Sequence, residues 1–199
     1  MARDLLIHSF LTRNLNVVAV LSNYRRIREQ LGNEEVADFE RVLIAKTAAA
    51  TSNSPDTVRA LVGEWIEQRP LSYLRRCVYP ELPQLFAGLR RQGKAIGILS
   101  DYPARAKLMA LGLTANYVVC ATDEGIGQLK PHTRGLESLI AAAGVKTETT
   151  VLIGDRADRD GVVARRVGAH ALIKSSRPIE GWQTFVGYDD ALFASFLIP

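Results

Sequence analysis

The stretch Thr150–Leu172, TVLIGDRADRDGVVARRVGAHAL, decides the fold of this chain. Val151 to Gly154 is short, apolar, β-branched at its start and closed by glycine, which predicts a buried parallel strand. Three acids follow at once, Asp155, Asp158 and Asp160, and then an amphipathic helix to about Val167. Gly168 stops that helix, and Ala169 to Ile173 begins another apolar run. The unit is strand, acidic loop, helix, strand. Its acids lie at the carboxyl end of a strand, the edge where open α/β sheets bind ligands.

Three acids in six residues need a physical account. Two carboxylates about 4 Å apart repel by roughly 4 kcal/mol at an effective dielectric near 20. Arg156 and Arg159 could screen part of that from the flanks, and a divalent cation would do more. Mg²⁺ typically takes one or two carboxylates together with waters and phosphate oxygens. Helix capping by Asp158 or Asp160 would account for one acid, hardly for all three.

Outward from this unit the pattern repeats. Lys94 to Ser100 (KAIGILS) and Tyr117 to Ala121 (YVVCA) predict further strands. Helices are expected from Tyr79-Pro80 to about Gly93, from Pro103 to Leu111 and from Glu137 to Ala143. Trp182 to Tyr188 and Asp190 to Phe196 read as a last strand and a last short helix. Strands alternating with helices at this interval predict a parallel doubly wound sheet. The first seventy residues differ. Leu5, Leu6, Phe10 and Leu11 recur at helical spacing, and Val17 to Leu31 continues as helix to Gly32, although a strand rivals it over Asn16 to Leu21. Glu34 to Ala50 and Asp56 to Gln68 are two more helices, the latter with Ser54 as N-cap and Pro55 at its first position. The expected division is a helical subdomain over 4–70 and an α/β core over 71–199.

Composition narrows the classes. In 199 residues, 47% hydrophobic and 23% charged content excludes long disorder. A net charge of +4 without a long basic run leaves nucleic-acid binding unforced. The clusters Arg25-Arg26-Ile27-Arg28, Leu89-Arg90-Arg91 and Arg165-Arg166 are expected on solvated helix faces. Cys77 and Cys120 share no metal or redox spacing and read as reduced thiols of a cytoplasmic protein. No apolar run reaches the ~20 residues of a membrane span, and no signal peptide pattern is present. Gly125-Ile126-Gly127 lacks the third glycine and the helix of a dinucleotide fingerprint. His8, His132 and His170 stand isolated.

Three candidate sites lie at strand ends: Ser100 with Asp101, which can hold an anion's oxygens through hydroxyl and amide groups; Lys130-Pro131, whose ammonium is a compact charge for phosphate; and the acid loop. In this order and spacing they resemble the haloacid dehalogenase-like (HAD) superfamily, mostly Mg²⁺-dependent phosphatases. Gly97-Ile98-Leu99-Ser100 matches its second motif, Lys130-Pro131 its third, and Gly154-Asp155 with Asp158 and Asp160 its fourth. The likeness runs from about Tyr79 to Ile173. It implies a Rossmann-like core, an inserted helical cap before it, and a small phosphorylated substrate. It also implies that Asp155 and Asp160, with Asp158 beside them, hold Mg²⁺. Lys130 and Ser100 would serve catalysis, and Ser100, Asp101 and Lys130 would bind the phosphoryl group.

The family opens with a central strand ending in Asp-x-Asp, whose first Asp attacks phosphorus. Nothing in Met1 to Arg69 matches it: Asp4 follows no strand, and Pro103 stands where Asp101 would need its second acid. The expectation is therefore of a chain lacking its nucleophile strand and inactive as written, with Met1 an internal methionine of a longer natural protein. The other readings are a non-catalytic relative that binds phosphate or a partner through the remaining cleft, and an unrelated Rossmann-like nucleotide binder.

Overall fold

The computed structural model describes residues 15–194. The helical segment expected around Leu5–Leu11 and the end of the last helix lie outside these residues. The chain opens with α1 (Leu15–Asn33), α2 (Phe39–Thr51) and α3 (Pro55–Val62), the last continued by a π-helical turn over Gly63–Gln68. Ser54 caps α3 as expected: its Oγ accepts from the Thr57 amide at 3.1 Å, and Pro55 occupies the first turn, where its missing N–H costs nothing. The second helix starts at Phe39 rather than near Glu34. The residues between carry two left-handed kinks, at Glu35 and Asp38 (φ 49° each), which keep the chain out of the helix.

These helices bury Val17, Val20, Leu21, Tyr24, Ile27, Leu31, Leu43, Val58 and Trp65 against one another. The same cluster takes in Ala121 and Leu129 from beyond β2, so the helical layer and the α/β layer share a core. One expectation fails here. Arg25 and Arg26 are solvated, but Arg28 is only 4% exposed. It follows Tyr24 and Ile27 onto the buried face by the spacing of three and four that governs a helix.

After α4 (Leu71–Leu74) come α5 (Leu82–Arg91), β1 (Gly97–Ser100), α6 (Arg105–Leu111), β2 (Tyr117–Cys120), α7 (Arg134–Ala143), β3 (Val151–Gly154), α8 (Val162–Val167), β4 (His170–Lys174) and β5 (Gln183–Phe185). Strand β1 begins at Gly97, not Lys94. Ile96 instead meets the Asn116 side chain, whose Oδ1 accepts from its amide at 2.9 Å. Leu82, Leu85, Leu172, Phe185 and Phe193 close a second core, with Phe185 and Phe193 edge to face at 5.0 Å. Cys77 is exposed and Cys120 buried, both unpaired. No described helix is long and apolar enough to cross a membrane.

All pairings are parallel, but they fall into two sheets: β1 with β2, and β3–β4–β5. Among the described residues no strand joins β1 to β3. The consequence shows at Ile153, which is 37% exposed in the middle of an apolar strand expected to be buried. Helix α7 covers β1 closely enough that a Cβ on Gly135 would fall 2.6 Å from Leu99 Cδ1.

Phe185 joins strand packing to the aromatic cluster. Phe185→Ala is expected to cost about 3–5 kcal/mol of stability, read from the midpoint of urea unfolding.

Candidate functional site

Lys130 divides its three polar groups between two strand ends. Its amide donates to Asp101 Oδ1 at 3.0 Å, just beyond β1. Its ammonium donates to Asp160 Oδ1 at 2.6 Å, in the loop after β3. Its carbonyl accepts from Arg159 Nη1 at 2.7 Å. The peptide it forms with Pro131 is cis. Ser100 ends β1, and its Oγ accepts from the Tyr102 amide at 3.1 Å, which leaves the hydroxyl proton free to donate. The carboxyl ends of the two half-sheets thus face one rim.

The acid loop is shaped by one extra residue per turn. Arg156 O accepts from the amides of both Asp160 at 2.7 Å and Gly161 at 3.2 Å, the second reaching five residues on, as in a π-turn. This wide turn swings the Asp160 side chain back over β3. Its Oδ2 accepts from the amides of Asp155 at 3.3 Å and Arg156 at 3.1 Å, and the residue is 5% exposed. Gly154 has to be glycine here, because a Cβ would lie 2.3 Å from Asp160 Cγ.

The three acids therefore separate. Asp160 is buried and bonded to Lys130. Asp155 is exposed at the strand end. Asp158 turns away: Arg156 binds it through Nη2 at 2.7 Å and Nε at 3.3 Å, and this bidentate contact holds its carboxyl below the usual range. The trio expected as metal ligands is thus reduced by geometry to Asp155 and Asp160, and no group of three or more His, Cys, Asp or Glu able to hold a metal occurs among the described residues. Two carboxylates still meet the lower requirement of Mg²⁺. Asp155 is the one open to direct contact, whereas Asp160 has both oxygens already engaged.

Sequence reasoning missed the two arginines that lock the helical layer onto this loop. Arg159 is buried. Its Nη2 donates to the Glu29 carbonyl at 3.0 Å and to Asn33 Oδ1 at 2.6 Å, and its guanidinium sits where a Cβ on Gly32 would be, 2.5 Å away. Arg156 Nη1 grips both oxygens of Glu29 at 3.0 and 2.9 Å. Burial pushes the Glu29 carboxyl up, but the bonds and charges of Arg156 and Arg159 outweigh it, and the net direction is down. The available signal is the two arginines set among three aspartates in DRADRD. Nothing in it names a partner 127 positions away.

A family model of haloacid dehalogenase-like hydrolases matches residues 11–168, the helical layer and the acid loop together. The chain belongs to the haloacid dehalogenase-like hydrolases. Among curated relatives of this HAD chain, phosphoglycolate phosphatase from Rhodospirillum rubrum is 25% identical over 96% of the chain and 84% of the relative. Glyceraldehyde 3-phosphate phosphatase from Methanocaldococcus jannaschii is 30% identical over 93 residues, and the chain spans about two fifths (41%) of that relative. Among solved structures, a HAD phosphatase from Thermococcus onnurineus superposes at a TM-score of 0.53 with 18% identity, over 80% of this chain and 85% of that one. A 2-haloacid dehalogenase from Pseudomonas syringae does so at 0.54 with 17% identity, over 83% and 76%. At these identities the structures establish the shared fold.

Gly154→Ala is expected to destabilise the protein by about 1–3 kcal/mol, because Asp160 must shift; denaturant unfolding checks it. A second prediction concerns acid. Glu29 has a lowered pKa, so its contribution is complete above the ordinary glutamate value and is lost as pH falls through the lowered one. Glu29→Gln should therefore reduce the stability lost between neutral and acid pH, measured as the shift of the urea midpoint; an unchanged pH profile would contradict it.

Proposed function

We propose that the rim formed by Ser100, Asp101, Lys130, Asp155 and Asp160 is a phosphatase-type site for small phosphorylated substrates, working with Mg²⁺. The observation behind this reading is the position of Lys130, tied to Asp101 by its amide and to Asp160 by its ammonium. The relatives named phosphatases lend it support.

In this reading Asp155 holds the cation directly and Asp160 helps through water, while Asp158 stays with Arg156. Mg²⁺ would supply positive charge against the phosphoryl oxygens. Lys130 has three donors, of which Asp160 takes one, so the ammonium can also face a phosphoryl oxygen. The Ser100 hydroxyl donates to another. Such fixed donors stabilise charge as it moves in transfer. Helices over 15–70 act as the cap, clamped by Glu29 to Arg156 and Arg159.

Among the described residues, no carboxylate at this rim is left to attack phosphorus. Asp101 accepts from Lys130, Asp160 is saturated, and Asp155 serves the metal. In this reading the chain binds phosphate with little turnover, which joins the phosphatase reading to the non-catalytic one. Expected by calorimetry is Mg²⁺-dependent binding of inorganic phosphate that is lost in Asp155→Asn and Lys130→Ala, with negligible hydrolysis of p-nitrophenyl phosphate. Rapid Mg²⁺-dependent hydrolysis lost in Asp155→Asn would refute the binder reading; no phosphate binding would refute the site.

A further inference from the structure

Arg165 is exposed, yet its side chain is held in one place. The guanidinium lies over the Trp182 ring, 3.9 Å from the centroid, and Nη2 donates to the Gly181 carbonyl at 3.1 Å. The ring is fixed in turn, because its six-membered edge packs on Gly161, where a Cβ would fall 2.7 Å from Trp182 Cη2. Arg165 forms no ion pair with any described carboxylate. A guanidinium carries five N–H donors, so most of those on Arg165 remain for a ligand. Ordering a long exposed side chain normally opposes binding. Here the indole and the Gly181 carbonyl have ordered it beforehand.

Arg165 and Trp182 form one wall of a cleft of about 220 Å³, completed by Ala169, His170, Gly181 and Gln183. The lining holds no carboxylate, and Glu148 and Glu180 of the adjoining loops stand outside it. The indole N–H, the Gln183 side-chain amide and the His170 ring join Arg165 there, none with a hydrogen-bond partner among the described residues. Donors without an acid suit an anion. The volume, below the roughly 300–1,000 Å³ of a pocket for a drug-sized ligand, suits a small one. The cleft is separate from the rim, since His170 and Gln183 open β4 and β5 whereas the rim lies at carboxyl ends. His170 precedes Ile173, the register partner of Gly154, by three positions, about 10 Å along the strand. We infer that this cleft is a second binding site, for a small oxyanion of the phosphate or carboxylate kind, with Arg165 as its principal donor. It does not depend on the phosphoryl site proposed above.

The whole chain is titrated with inorganic phosphate and with acetate at fixed ionic strength, in EDTA so that a Mg²⁺-dependent rim stays empty. Tryptophan fluorescence reports on the cleft, and Trp182→Phe should abolish the signal, because the other tryptophan is Trp65. Saturation in the millimolar range is expected; phosphate saturating first identifies a phosphate-type ligand, and acetate first a carboxylate. Arg165→Gln should weaken binding about fivefold or more, as loss of a charge-assisted hydrogen bond allows. Arg165→Lys keeps the charge without the planar fork and should lose much of the affinity. Asp155→Asn should bind like the parent. The saturating anion should also raise the melting temperature of the parent and not that of Arg165→Gln. Failure of both anions to saturate, undiminished affinity in Arg165→Gln, or loss of the signal in Asp155→Asn would each overturn the assignment.

Discussion

The ion pair between Lys130 and Asp160 is the contact on which the rest of the arrangement depends. It is buried and short, at 2.6 Å, and it joins a residue on the β1 side to one on the β3 side. Because no described strand lies between those sheets, their relative position cannot be set by a hydrogen-bonded ladder. Side chains do that work: Lys130 through its amide and ammonium, and Arg159 through the Lys130 carbonyl. Removing one member of a buried pair leaves an uncompensated charge, which typically costs more than the pair contributes.

A second consequence is the stiffness of the helical layer. Glu29 and Asn33 receive Arg156 and Arg159, and Gly32 lets the Arg159 guanidinium approach the helix backbone. Glu35 also receives Arg166 from α8 at 2.6 Å. Helical layer and acid loop are therefore tied together through side chains. Asp158 belongs to this clamp through Arg156, although its spacing within DRADRD makes it look equivalent to its neighbours.

Much of the architecture was legible from local pattern. Val151–Gly154 occupies the expected span, Ser54 caps the helix that Pro55 begins, and Gly168 ends a helix in a left-handed turn as its position implies. Ser100, Lys130 and the acids were named from strand ends. The errors lie where a residue's environment is set by distant chain. Arg28 was placed in solvent because the composition of Arg25–Arg28 is basic, yet three-and-four spacing with Tyr24 and Ile27 puts it inside. Ile153 was placed in the core because it sits in an apolar strand, yet burial on that face needs a neighbour that the described residues do not provide.

The sequence by itself determined the alternation of strands and helices, the order of the motifs, and the chemistry available at each strand end, because periodicity and turn residues act over a few positions. Only the tertiary structure decided which of three aspartates faces Lys130, which arginines hold the helices to the core, and which arginine is left without an acid. Those outcomes depend on groups brought within about 3 Å from 30 to 130 residues apart, and the electrostatic energy that selects among them is largest once water has been excluded from the contact.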